Sequence, residues 1–293
     1  FKTKREAEFI DFTDRHFNTL RAHLITHFIN PLPEQDLRMV IDSAFSVDYD
    51  PVAEYFATLP RWDGHDYIRD LADLVEVVPG QYGDDVDARE VWTSYLYRWL
   101  IACCSQMLQK YENHSCLTLL GGQGIGKTTY LRRLGIADDL TYVGAIDPRE
   151  KDSKIYYATM THIVLDELEA STKADIAALK SNMTLREIKV RRPYGRRDER
   201  LPRLASFSAS ANDVQILGDT TGSRRWLCVE VGDVDYLAVT PELVRSAYSQ
   251  AYAALKSGVR YWFDTAEIKT LEARNQHFNA AVVRMLGVRA DRL

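Results

Sequence analysis

The sequence predicts an α/β fold: a parallel sheet covered by helices, preceded by a helical N-terminal domain and followed by a small helical C-terminal region. Three observations predict it. First, the short apolar run SCLTLL leads straight into the glycines of GGQGIGKTTY, residues 121–130, as a buried strand leads into a tight turn and a helix. Second, the runs THIVLDE, LASFSASAN and RRWLCVEV alternate with helical stretches such as 171–183, the order of strands and crossover helices in a parallel sheet. Third, the flanking segments carry apolar residues at helical spacing. These readings divide the chain into a helical domain at 1–110, a core at 111–232 and a helical region at 233–293.

Taken in order, Phe9, Phe12, Phe17, Leu20 and Leu24 predict a first helix. Pro33 suits the start of a second, with Leu37, Val40, Ile41 and Phe45 on its apolar side. A third helix over DPVAEYFATL ends at Pro60, ahead of a turn at Asp63 and Gly64. The strongest helical pattern aligns Trp92, Leu96, Trp99, Leu100 and Cys103. After Gly232, PELVRSAYSQAYAALKSG and TAEIKTLEARNQHF return to helical period.

With 46% apolar and 27% charged residues over 293 positions, the composition is that of a globular protein with one large or two moderate domains. No apolar run is long enough to span a bilayer. Cys103, Cys104, Cys116 and Cys228 lack the spacing of zinc ligands and lie among apolar residues. Buried, reduced thiols in a cytoplasmic protein are therefore expected. The net charge of −5 is unevenly distributed: residues 186–203 hold eight basic and three acidic side chains. A local surplus of +5 within an acidic chain marks a place for an anionic partner.

Gly121, Gly126, Lys127 and Thr128 match G-x-x-x-x-G-K-[ST]. In that pattern glycines let the loop curl until its amides face phosphate oxygens, and the lysine reaches the β- and γ-phosphates. The cradle is expected to comprise Gly121, Gly122, Gln123, Gly124, Ile125, Gly126, Lys127, Thr128 and Thr129. Thr128 and Asp166 are the candidate Mg²⁺ ligands, and Glu167 the group that orients or deprotonates the attacking water. Asn212, ending SFSASAN, could hold the same water, although asparagine after a strand is commonly a turn residue. Arg224 and Arg225 precede a strand and are candidates for an arginine finger on this nucleotide or a neighbour's, against the plainer reading of surface charge.

EIKVRRPYGRRDERLPRLASF reads as a β-hairpin at about 187–204 with a basic tip. Its cations would grip a nucleic-acid backbone without reading sequence, through Lys189, Arg192, Arg196 and Arg197, with Tyr194 stacking or bracing the turn. The alternative is a solvated face paired to acids elsewhere.

Together the segments LLGGQGIGKTTYLRRLG, VLDELEA, VRRPYGR, SASAN and GSRRWLCVEV resemble the virulence-associated protein E family of P-loop ATPases. That family is related to the superfamily-three replicative helicases of phages and mobile elements. The resemblance implies a P-loop NTPase with an AAA+-like core, assembled as a homo-oligomeric, typically hexameric ring that binds ATP with Mg²⁺ between subunits. It further implies that Arg224 or Arg225 acts in trans, that Arg196 and Arg197 face single-stranded or forked DNA, and that a primase or other replication protein is a partner. The expected activity is an ATP-driven DNA helicase or translocase in a bacterial host cell. The alternative is an ATP-dependent ring-forming scaffold or sensor that binds nucleic acid or protein without unwinding. A small-molecule kinase would have no use for the arginine pair or the hairpin.

Overall fold

A computed structural model describes residues 2–5, 8–11, 13–27, 32–41, 43, 49–150, 153–166, 168, 172–190, 198–212 and 223–278. Two compact units divide the chain, Phe1–Ala57 and Thr58–Leu293. The first contains an antiparallel hairpin, β1 (Lys2–Arg5) and β2 (Glu8–Asp11), then α1 (Asp14–His27), α2 (Glu34–Ile41) and α3 (Pro51–Ala57). The helix expected across Phe9 and Phe12 begins only at Asp14. Thr13 is the reason: as a helix-start residue its carbonyl accepts from Phe17 N, so the preceding residues are free to pair as strands. Phe17 is buried, with the Arg38 guanidinium 4.1 Å above its ring.

The second unit is a mixed α/β fold around a six-stranded sheet. Its helices and strands are α4 (Tyr67–Ala72), β3 (Val75–Val77), α5 (Ala88–Met107), β4 (Cys116–Leu120), α6 (Lys127–Arg133), β5 (Thr141–Val143), α7 (Lys154–Thr159), β6 (His162–Leu165), α8 (Lys173–Asn182), β7 (Glu187–Val190), β8 (Glu199–Pro202), β9 (Ser206–Ala211), β10 (Trp226–Val234), α9 (Pro241–Lys256) and α10 (Thr265–Arg274). The sheet order is β3-β10-β4-β9-β6-β5, parallel throughout except for the edge strand β3, which runs antiparallel to β10. All four apolar runs that predicted strands therefore lie side by side. β3 falls within the stretch whose sequence reads as helical; its three residues are too few for a period, and only pairing with β10 defines it.

Helix starts follow their capping chemistry. Asp87 accepts from the amides of Arg89 and Glu90 at the head of α5, Thr172 and Asp175 form a capping box on α8, and Asp264 and Glu267 form another on α10. Each such cap contributes about 1 kcal/mol to its helix. α5 is buried along nearly all of its length and packs against one face of the sheet. Its Trp99 indole donates to Phe207 O at 3.0 Å and meets the His162 ring edge-on at 5.2 Å. The opposite face gathers Cys116, Leu120, Ile163, Phe207 and Trp226 with Tyr157 of α7, Leu179 of α8 and Ile188 of β7. All four cysteines are unpaired and buried, and burial raises their thiol pKa values, that of Cys103 to about 12. Among the described residues no helix is long and apolar enough to cross a membrane.

Candidate functional site

The candidate site lies where β4, β9 and β6, three adjacent parallel strands, end. β4 hands the chain to the glycine loop at Gly121, β6 to Asp166 and β9 to Asn212. Glycine is required at two places in the loop. Gly121 has φ 148°, and a Cβ there would overlap Val231 O; Gly126 has φ 91°, and a Cβ would overlap the Tyr236 ring.

Lys127 is 5% exposed, and its ammonium donates to Gly121 O at 2.8 Å, Gly122 O at 2.6 Å and Asn212 Oδ1 at 3.3 Å. Beside it three oxygens converge: Thr128 Oγ1 donates to Asp166 Oδ1 at 2.8 Å, Ser210 Oγ to the same oxygen at 2.7 Å, and the two hydroxyls are 2.9 Å apart. The arrangement offers a buried cation and, next to it, a carboxylate with two hydroxyls, the hard-oxygen donor set that suits Mg²⁺. Thus Lys127, Thr128, Asp166 and Asn212, spread over 86 residues of sequence, meet in one cluster. Glu167 lies outside the described residues.

Ser210 was not anticipated, yet it touches two of the predicted metal-side residues. A signal for it exists. On a strand, residues two apart share a face, so Ser206, Ser208 and Ser210 line up with the candidate Asn212. Each meets a polar partner: Asn113 Nδ2 donates to Ser206 Oγ at 3.1 Å, His162 Nε2 lies 2.8 Å from Ser208 Oγ, and Asp166 and Lys127 complete the row. Burial holds the His162 imidazole down at about 3, so it is neutral at physiological pH.

Arg224 and Arg225 are not brought to this cluster. They sit in the turn Ser223–Arg225 before β10, and Trp226 is paired with Cys116 at the opposite end of the sheet. Asn275 Nδ2 fixes that turn through Ser223 O and Trp226 O, each at 2.8 Å. Here the arginines border a cleft of about 350 Å³ with Arg98, His114 and Trp262. Burial and then Arg224 lower the Arg225 guanidinium pKa; burial, then Arg203, lower that of His114.

The basic stretch forms the expected hairpin arms, β7 and β8, with Ile188 and Val190 turned into the core and Lys189 outward. Lys189 pairs with Asp198 at 3.1 Å. Arg192, Tyr194, Arg196 and Arg197 lie outside the described residues. Arg203, counted in the basic surplus, is no surface charge: it is fully buried and donates to the carbonyls of Leu185, Ala205, Asn113 and Met183. Nothing in its local sequence separates it from the exposed arginines, because three of its four partners, Met183, Leu185 and Asn113, lie 18 or more residues away.

No curated protein sequence matches the chain. Among solved structures, the apo NrS-1 C-terminal region (305–718) superposes with a TM-score of 0.49 at 16% identity, covering 82% of this chain and 55% of that one. Two A-form apo structures of the same region give TM-scores of 0.45 and 0.44 at 14% and 15% identity, covering 80% and 84% of this chain and 54% and 50% of theirs. The chain spans about half the length of these NrS-1 chains. The model of the virulence-associated protein E-like domain matches residues 57–280, well over half of the sequence. By that match the chain belongs to the virulence-associated protein E-like domain family.

Proposed function

We propose that the chain is a P-loop ATPase with an AAA+-like core that moves along or unwinds DNA during phage or mobile-element replication. The observation that carries this reading is the meeting of Lys127, Thr128, Asp166 and Asn212 at the ends of three parallel strands. Lys127, held beside the glycine loop by two carbonyls and an amide, exchanges those partners for phosphate oxygens of ATP. Thr128 and Asp166, with Ser210 bracing the carboxylate, would hold Mg²⁺. Bound there, Mg²⁺ would supply positive charge against the phosphate oxygens of the nucleotide. Asn212 positions the attacking water beside the γ-phosphate, and Glu167, the next residue after Asp166, is the base. Arg224 and Arg225 complete the site of an adjacent copy in a homo-oligomeric ring. The tip cations Arg192, Arg196 and Arg197, with Lys189 and Tyr194, hold single-stranded or forked DNA, and a primase or other replication protein is the natural partner.

The test is ATP turnover by the purified protein with and without single-stranded DNA, followed by strand displacement on a forked duplex. Stimulated turnover with displacement is the expected result. Stimulated turnover without displacement would assign the protein to the scaffold or sensor class, and a folded protein without any ATP turnover would remove the motor reading altogether.

A further inference from the structure

We infer that the turn Tyr236–Ala238, which follows β10, is the wall against which the nucleoside of the bound nucleotide lies. The inference rests on the nucleotide reading above and adds a subsite to it. β4, which carries the glycine loop, lies between β9 and β10. Every group that would meet the γ-phosphate or metal comes from the loop and α6 themselves or from the β9 and β6 side: Asn212, Ser210 and Asp166. A ligand with its terminal phosphate on that side extends in the other direction, over the end of β10. The chain that continues from β10 is this turn.

The turn is joined to the phosphate loop by contact. The Tyr236 ring lies so close to Gly126 that a Cβ on Gly126 would overlap it. It is also clamped by the helix that carries Lys127 and Thr128. Arg133 of α6 donates through Nη1 to Tyr236 O at 2.6 Å, Leu237 O at 3.3 Å and Val239 O at 3.4 Å, with its guanidinium 5.8 Å from the Tyr236 ring centroid. Asp235 caps the same turn by accepting from Ala238 N at 3.2 Å. A single rigid piece thus carries both the phosphate loop and an aromatic ring beside it.

At the crest of the turn Leu237 is 69% exposed, a large apolar side chain left in water beside a charged site. Covering it with a nucleobase removes apolar surface from water, and the ring of Tyr236 offers a flat apolar face next to it. Recognition of this kind works by contact area, so the nucleoside contributes affinity on top of what the phosphates contribute.

Calorimetric titration of the full chain with Mg-ATP and with Mg-tripolyphosphate separates the two contributions. Wild-type protein is expected to bind ATP more tightly than tripolyphosphate. Leu237→Ser, which removes the apolar contact without adding charge, should weaken ATP about tenfold and leave tripolyphosphate unchanged, while Tyr236→Phe keeps wild-type affinity. Leu237 is exposed, so its variant tests the subsite without disturbing the core. ATP and tripolyphosphate binding equally well to wild type, or ATP affinity unchanged in Leu237→Ser, would overturn the subsite and leave the phosphate site standing. Failure of both ligands to bind wild type would overturn the nucleotide reading and the subsite with it.

Discussion

At the scale of single residues, the polar row on β9 is where small changes should be most informative. Ser210 is 2% exposed and donates to the Asp166 oxygen that Thr128 also engages, so it fixes the carboxylate without carrying charge itself. Ser210→Ala is expected to raise the Mg²⁺ concentration needed for half-maximal ATP turnover several-fold, and Mn²⁺ binding followed by electron paramagnetic resonance should weaken in parallel. Nucleotide affinity in the absence of metal should not move. His162, on the adjacent strand β6 and in contact with Ser208, gives a pH signature instead. Its folded-state pKa, about 3, lies below the ordinary 6.5 because burial disfavours the imidazolium. Above 6.5 the group is neutral in both states and costs nothing. As pH falls from 6.5 towards 3 the unfolded chain takes up a proton that the folded chain refuses, and stability is lost at about 1.4 kcal/mol per pH unit. His162→Gln, whose amide can still meet Ser208, should flatten the slope of unfolding free energy against pH by one proton between pH 6 and 4. An unchanged slope would mean that the imidazole is protonated in the folded protein.

At the scale of elements, the hairpin β7–β8 divides into arms and tip with different physics. The arms, 187–190 and 198–202, hold two cations and three acids, while the seven residues between them hold four arginines and no acid. Exposed pairs such as Lys189–Asp198 and Arg200–Glu187 are of little energetic consequence. What fixes the arms is underneath: Ile188 and Val190 in the core and Arg203 at the base of β8. Burial lowers the Arg203 pKa to about 10, and the side chain is held by four carbonyls drawn from the approaches to β4, β7 and β9. Arg203→Met should cost about 3 kcal/mol, seen as a lowered midpoint of urea unfolding, because the carbonyls lose their charged donor. Arg203→Lys should recover only part, since an ammonium has three donors and no fork. This element also shows what a sequence exposes and what it hides. Glycine spacing and polar residues at the ends of apolar runs are local signals set by backbone geometry. The placing of the loop, Asp166 and Asn212 at strand ends is therefore legible in the sequence, while Ser210, inside its strand, is not marked in this way. β3 and the burial of Arg203 depend on partners far along the chain, Val231 and Asn113 among them, which no local pattern records.

At the scale of the whole molecule, the orientation of β10 decides how the two halves of the proposed site can work together. Trp226 pairs with Cys116 and Glu230 with Leu120, so the strand runs alongside β4 from its first residue to its last. Arg225 therefore stands one step before the start of that register and Gly121 one step after its end, separated by a strand length of roughly 13 Å or more. Within one chain the arginines stand at the opposite end of the sheet from Lys127, so the proposed finger would act on the nucleotide of another copy. A contact between different surfaces of successive copies is heterologous, and such contacts form a ring where the rotation between copies closes and a filament where it does not. The arrangement predicts complementation between two inactive proteins. Lys127→Ala lacks the phosphate lysine but keeps the arginines, whereas the double variant Arg224→Ala, Arg225→Ala keeps the lysine and lacks the donors. Each alone should show no ATP turnover above background. Mixed in equal amounts and allowed to reassemble, a lysine-bearing subunit faces an arginine-bearing neighbour at about one quarter of the interfaces, and turnover should return to that fraction of wild type. Activity in the double variant alone would strip the arginine pair of a catalytic role. Two inactive variants that stay inactive when mixed, while co-assembly is verified by native mass, would exclude a site shared between subunits.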